Sequence, residues 1–251
     1  INSIQECFPE EIDTFVDLFC GGCDVSINTQ ANSIYANDIN YHVIDIMKAF
    51  QQYDVDYLLE YIDTTINQWC LNKTNEEGYK AFRDYYNKSK NPLNLNILMC
   101  FSFNYQFRFN SNHDYNNPFG KNRSSFNDVM RNNLIIFKGR IEDIHFSSFD
   151  FLDFDYDVLK AGDFIYADPP YLLTCGSYND GKRGFRGWTG HDDIELFRIL
   201  TELSDRGVNF ALSNVIEHKG LTNCNLADWA DTNGYFIHSI NFFNCLSNSK
   251  F

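Results

Sequence analysis

Two consecutive prolines, Pro169 and Pro170, end the apolar run Phe164-Ile165-Tyr166-Ala167 and constrain this chain more than any other stretch. A run of that length and β-prone composition reads as a strand buried in a sheet. Neither proline can donate a backbone hydrogen bond, so the sheet stops there. The strand thereby delivers Asp168, a stiff turn and the ring of Tyr171 to one point at its carboxyl end. In open α/β sheets, that edge is where ligands bind.

This grouping suits a weak nucleophile. An aromatic amine, such as the N6 amino group of adenine, has its lone pair delocalised into the ring. A carboxylate at Asp168 and the carbonyl of Pro169 can each accept one N–H bond, localising the lone pair and aiming it at an electrophile. Tyr171 offers a ring on which a base can stack, a contact of about 1–3 kcal/mol. The plainer reading, a strand-ending turn with a capping Asp, leaves the tyrosine unused.

Two further units read the same way. Phe15-Val16-Asp17-Leu18-Phe19 is strand-like and runs into Cys20-Gly21-Gly22-Cys23, after which Asp24 to Ile27 is compatible with a helix. Strand, glycine turn and helix make the first unit of a doubly wound fold, whose glycines let a ligand approach the backbone. Ser33 to Asn37 is a second strand, ending in Asp38. An acid there, about 20 residues past the glycine turn, is the usual partner of ribose hydroxyls and points to a nucleoside-containing cofactor. Leu134 to Phe137 reads as another strand, leading Asp143 to the ligand edge, where it would bond the cofactor's adenine amino group. Asn209 to Leu212 is a strand followed by Ser213-Asn214, and Phe236 to Phe243 supplies a late strand or pair.

Helical periodicity marks Tyr41 to about Gln52, Asp54 to about Cys70 with Asp54 as N-cap, and Glu76 to Lys88. His191-Asp192-Asp193 begins a helix that Gly207 ends. Asn91 to Asn96 reads as loop and capping chemistry. Phe101 to Asn110 alternates aromatic and polar residues, the period of a strand, and Ser111 to Asp114 supplies a turn into a second arm ending near Arg123. Basic residues outnumber acidic ones between positions 105 and 140. A hairpin carrying Arg108, Asn110, Asn116, Lys121 and Arg123 is fit to enter a DNA groove. From Cys175 to Trp188 a glycine-rich stretch with Lys182, Arg183 and Arg186 is suited to closing over a phosphate backbone.

Composition sets outer limits. A hydrophobic share of 44% excludes a disordered chain, and 251 residues suffice for one large α/β domain with an insertion. With no membrane-length apolar run and no charged-then-apolar start, the expectation is a soluble, cytoplasmic protein. The net charge of −14 argues against a surface broadly coated for nucleic acid but leaves room for a local basic patch. Eight cysteines are too dilute for a disulfide scaffold, and the Cys20/Cys23 pair has no second pair to complete a zinc site, so no metal is expected. A redox dithiol at Cys20 and Cys23 would leave Asp38 and Asp168 unexplained.

Phe19-Cys20-Gly21-Gly22, Ala36-Asn37-Asp38-Ile39-Asn40, Asp168-Pro169-Pro170-Tyr171 and Leu212-Ser213-Asn214 follow one another in an order that resembles Dam-type (alpha-group) DNA adenine-N6 methyltransferases. Arg108-Phe109-Asn110 with Asn117-Pro118-Phe119-Gly120-Lys121 resembles that family's DNA-contacting hairpin. The resemblance implies an α/β, Rossmann-like S-adenosylmethionine-dependent sheet, formed by residues 1–52 and 132–251. An inserted helical and β-hairpin domain, residues 53–131, would recognise DNA. It implies S-adenosylmethionine as donor, double-stranded DNA as substrate with adenine flipped into the site, and a cognate restriction endonuclease as partner. Asp17, Phe19, Cys20, Gly21, Gly22, Asp38, Ile39, Asp143 and Asp168 would line the donor site. Asp168 to Tyr171 would hold the base, while Arg108, Asn110, Asn117, Pro118, Lys121, Arg123, Lys182, Arg183 and Arg186 would meet DNA. The pattern departs at Cys23, which stands where a second spaced glycine falls, and the family's Gly- and Lys-containing motif would fall before residue 1. Two alternatives stay open: a catalytically idle nucleic-acid-binding module of this fold, and an RNA adenine methyltransferase.

Overall fold

The computed structural model describes residues 2–174 and 187–239. Five parallel strands form one sheet in the order β3-β2-β1-β4-β5, with β1 Thr14–Asp17, β2 Ser33–Asn37, β3 Ile144–Ser147, β4 Phe164–Ala167 and β5 Asn209–Leu212. The order steps outward from β1 in both directions, so the chain reverses its direction of travel between β1 and β4, a topological switch point. Phe15, Val16 and Asp17 of β1 and all four residues of β4 are buried. That is why these strands appear in the sequence as unbroken apolar runs rather than as alternating ones.

Alternation along the strands sorts the core into layers. Val16, Leu18, Ile165 and Ala167 pack with Leu196, Ile199 and Leu200 of helix α7, Gly190–Asp205. Phe15, Phe164 and Tyr166 point the other way and pack around Phe8, which follows the short helix α1, Asn2–Gln5. Helices α2 (Tyr41–Gln52), α3 (Val55–Gln68), α4 (Glu76–Ser89), α5 (Pro92–Phe101) and α6 (Asp128–Ile141) share one aromatic-rich core with Ala36 of β2 and Ile144 of β3. Caps fix their starts: Asp54 accepts from the N–H of Tyr57, Asn75 from Gly78, Asn91 from Leu93, and Asn127 from Met130. Helix α8, Cys224–Asn233, packs on α7 through Trp229 stacked on Phe197. Among the described residues, no helix is long and apolar enough to cross a membrane.

Five expectations need correction. Leu134 to Phe137 is not a strand but the middle of α6, with Leu134, Lys138 and Ile141 buried at helical spacing and Ile135 and Ile136 exposed. Phe101 to Asn110 is not a strand either. Phe101 ends α5, a 3-10 turn spans Phe103–Tyr105, and Asn104 and Tyr105 take positive φ, which breaks any extended run. What remains of the hairpin is its turn, closed by single bridges between Phe109 and Tyr115 and between Ser102 and Phe119. The stretch after the first glycine turn forms only a 3-10 turn, Ser26–Asn28, rather than a helix. Asn94 and Asn96 lie within α5, so only Asn91 of that asparagine run caps. The late strand expected at Phe236 to Phe243 is not formed at 236–239, and its remainder lies outside the described residues.

Candidate functional site

The carboxyl ends of β1, β2 and β4 bring three acids to one edge of the sheet. Asp17 closes β1 and is buried, with register partners Ala36 of β2 and Tyr166 of β4. Its Oδ2 accepts a hydrogen bond from the hydroxyl of Ser26 at 2.6 Å, whereas Oδ1 is buried without a partner. Burial pushes its carboxyl up to about 7, the Ser26 bond opposing this and the nearby Asp168 and Asp38 adding to it. Within a folded protein, a buried carboxylate oxygen with no donor calls for an explanation, and a cationic ligand arriving there supplies one.

Asp38, just past β2, ties the glycine turn down. Its Oδ2 accepts from the N–H of Gly21 at 2.9 Å and its Oδ1 from the N–H of Asn40 at 2.8 Å. Loss of hydration raises its carboxyl above the ordinary range despite both bonds. Gly21 has φ +47, and a Cβ built there would meet nothing within 4 Å, so the turn leaves open space beside the acids. Gly22 is exposed, and Ile39 is exposed beside Asp38. Cys20 is anchored by its N–H to the carbonyl of Asn37, and Cys23 takes the left-handed backbone conformation, φ 65, more usual for glycine. Phe19 meets Trp188 edge-on at 5.6 Å and Phe151 at 5.8 Å.

Asp168 stands exposed at the end of β4. The hydroxyl of Tyr171 donates to its Oδ1 at 2.7 Å. Restricted hydration raises its carboxyl, while hydrogen bonds from Tyr171 and Tyr166 act in the opposite sense. Pro169 is buried and Pro170 half-buried, which holds the turn rigidly behind the carboxylate.

Asp143 is not at this edge. It precedes β3, and because β3 runs parallel to β2, it sits at the amino end, on the opposite side of the sheet. The error follows from the misread strand: with Leu134 to Phe137 helical, the strand moves ten residues on, and the acid beyond its carboxyl end is Asp150. Asn37 marks that place, its side chain bonding Ser147 and the backbone of Phe149. The missed signal was the four-residue run Ile144 to Ser147 followed directly by polar residues and an acid.

The intended DNA-contacting residues divide. Arg108, Pro118, Lys121 and Arg123 are exposed, and the Arg123 guanidinium lies 5.5 Å from the ring of Phe103, itself exposed with Tyr105. Asn117, expected to face DNA, is instead buried, its amide donating to Ser102, Phe103 and Gln106. Asn110 builds the turn, its side-chain oxygen accepting from the N–H groups of Asn112 and Asp114. Phe109 stacks on His42 at 4.0 Å and 5°, which fixes this turn against the start of α2, just past Asp38. Burial holds that imidazole down to about 4, with His113 and Lys90 adding to the effect, so it packs as an uncharged ring. Lys182, Arg183 and Arg186 lie outside the described residues.

Comparison with known proteins supplies the family. The chain is 47% identical over 242 residues to the type II methyltransferase M.FokI of Planomicrobium okeanokoites, covering 96% of this chain and 37% of that protein. It is 45% identical to the modification methylase StsI of Streptococcus sanguinis, over 100% of this chain and 39% of the relative. The DNA adenine methylase of Escherichia coli strain K12 is 23% identical over 209 residues, 80% of this chain and 72% of that protein. The chain thus spans well under half the length of the first two. Residues 1–247 match the family described as D12 class N6 adenine-specific DNA methyltransferase, and the chain belongs to that family.

Proposed function

We propose that this chain methylates the N6 amino group of adenine in double-stranded DNA, using S-adenosylmethionine as donor. The observation that carries the reading is the meeting of an exposed carboxylate, Asp168, with a buried one, Asp17, whose Oδ1 has no partner. A donor bearing a positive charge suits that orphaned oxygen, and when bound it supplies a methyl group on an electrophilic sulfonium centre. Asp17 and the Gly21 turn hold its methionine end, Asp38 takes the ribose in exchange for its present backbone bonds, and Asp150 fills the role first expected of Asp143. Asp168 and the carbonyl of Pro169 accept the two N–H bonds of the flipped adenine. Tyr171 stacks on the base.

Residues 53–131 serve as the recognition segment. Arg108, Lys121 and Arg123 beside the exposed Phe103 and Tyr105 offer cationic and aromatic groups on one loop, fit for phosphates and base edges. Asn110 and Asn117 shape that loop from within. Lys182, Arg183 and Arg186 contribute further phosphate contacts. Since relatives are named modification methylases, we infer a role in the cytoplasm opposite a restriction endonuclease of the same specificity. The test is transfer of labelled methyl to mixed-sequence duplex DNA and to RNA, by the wild-type chain and by Asp168→Ala. Label in N6-methyladenine of duplex DNA, lost in the variant, is expected. Labelling of RNA alone, or DNA binding without transfer, would overturn the reading in favour of the RNA enzyme or the idle module.

A further inference from the structure

At the carboxyl edge of the sheet, one buried amide uses every hydrogen bond it can make. Asn37 ends β2 and is 1% exposed. An asparagine side chain carries two N–H donors and an oxygen with two lone pairs. Here Nδ2 donates to the carbonyls of Leu18 at 3.2 Å and Phe149 at 3.0 Å. Oδ1 accepts from the hydroxyl of Ser147 and from the N–H of Phe149, both at 2.9 Å. Leu18 follows β1 and Ser147 ends β3, so this side chain joins the strands on both sides of its own. The backbone extends the tie by one residue, the N–H of Asp38 donating to the carbonyl of Ser147 at 3.2 Å.

Phe149 is held at both its N–H and its carbonyl by this one amide, yet its ring is 52% exposed. A side chain thus does for Phe149 what a neighbouring strand would do, beyond the point where β3 has ended. An exposed ring on a fixed backbone, followed directly by Asp150, stands beside Asp38 on the next strand. We propose that Asn37 is a positioning residue, whose amide holds Phe149 and Asp150 in place against Asp38 for the nucleoside end of the donor. The inference rests on the reading of this edge as the S-adenosylmethionine site. A site whose backbone is fixed before the ligand arrives spares the ordering cost of binding, which is what the saturated amide contributes.

The test is calorimetric titration with S-adenosylhomocysteine, the donor after transfer, which lacks the sulfonium charge and so does not depend on the orphaned oxygen of Asp17. The chains compared are the wild type, Asn37→Asp, Ser147→Ala, Asp150→Ala and the double variant Ser147→Ala/Asp150→Ala. Ser147→Ala removes one neutral hydrogen bond to the amide and should raise Kd about 2- to 10-fold. Asn37→Asp keeps the shape but turns a carboxylate oxygen on the carbonyls of Leu18 and Phe149, so Kd should rise by more than about 10-fold. In the double variant the loss should be smaller than the product of the two single losses, because Ser147 acts through the segment that carries Asp150. A merely structural amide would give independent losses, so a double-variant loss equal to that product overturns the proposal, as does an unchanged Kd in Ser147→Ala. Both readouts stand without Asn37→Asp should that variant fail to fold. Binding of S-adenosylhomocysteine without methyl transfer to DNA by the wild-type chain overturns the proposed activity alone, whereas no binding by the wild type overturns the positioning role with it.

Discussion

Two buried carboxylates sit at opposite ends of the same sheet. Asp163, at the amino end of β4, has both oxygens paired, Oδ1 accepting from the N–H of Thr14 and Oδ2 from that of Lys160. Asp17, at the carboxyl end of β1, has one oxygen paired and one orphaned. A cleft of about 660 Å³ opens beside Asp163, lined by Glu10, Asp13 and Lys160 among others. Volume alone would put the ligand there, yet its acid is already satisfied by the backbone. The acid with an unpartnered oxygen lies at the other end, among Asp38 and Asp168. Incomplete hydrogen bonding, rather than cavity size, separates a group that holds the fold from the one proposed to take a ligand.

The sharpest way to break this contrast is to remove the acid that would act. Asp168→Ala should lower methyl transfer by about 10²- to 10³-fold, read as N6-methyladenine formed, with little change in melting temperature. If activity survives, the carboxyl edge is not the reacting one.

Swapping the two buried acids comes next. Asp163→Ala removes the acceptor of two part-buried backbone N–H groups and should cost about 1–3 kcal/mol in denaturant unfolding, without weakening donor binding. Asp17→Asn should weaken donor binding in calorimetry yet stabilise the free chain near pH 8, by up to roughly 4 kcal/mol. The sign follows from the raised carboxyl. Its folded value of about 7 exceeds the unfolded one, so the stability it allows is full below about pH 4 and is lost as pH rises toward 7. The difference between wild type and variant should therefore close on acidification. An advantage for Asp17→Asn that is constant with pH would show that the orphaned oxygen is not the cause.

The proposed recognition segment offers a smaller test of the same distinction. Gly120→Ala would place a Cβ 2.7 Å from the carbonyl of Ser102 and 2.2 Å from the hydroxyl of Ser124, so it should destabilise by about 1–3 kcal/mol. Lys121→Ala, its exposed neighbour, should leave stability alone and reduce the salt dependence of DNA binding by about one counterion. Equal salt slopes for wild type and Lys121→Ala would remove Lys121 from the interface. Smallest of all, Tyr171→Phe should retain most of the stacking that Tyr171→Ala loses, a difference of about 1–3 kcal/mol in affinity for duplexes with adenine at the target position.

Much of the sheet was legible in the sequence. β2, β4 and β5 and helix α2 fall on the runs that suggest them, because a short β-prone run, buried throughout in β4, or a sustained helical stripe leaves a pattern that local contacts reinforce. Two of the failures show why local pattern was not enough. Leu-Ile-Ile-Phe at 134–137 is too short for periodicity to separate strand from helix, and the Asn127 cap with the buried spacing of Leu134, Lys138 and Ile141 decides it. The alternation from Phe101 to Phe109 has strand period, yet Phe101 belongs to a helix core, Phe103 and Tyr105 to the surface, and Phe109 to a stack on His42.

By itself the sequence determined the local pieces of this edge: Asp168 ahead of two prolines, Asp38 after a glycine turn, and Tyr171 beside the carboxylate. Those are local, fixed by proline geometry, glycine freedom and strand ends. Tertiary structure alone decided which acids face one another. Strand direction sends Asp143 to the far edge, leaves Asp150 at the near one, and seats Tyr166 between Asp17 and Ser213. Pairing of strands distant in the chain is a non-local choice, set by the shared core, and no single segment carries it.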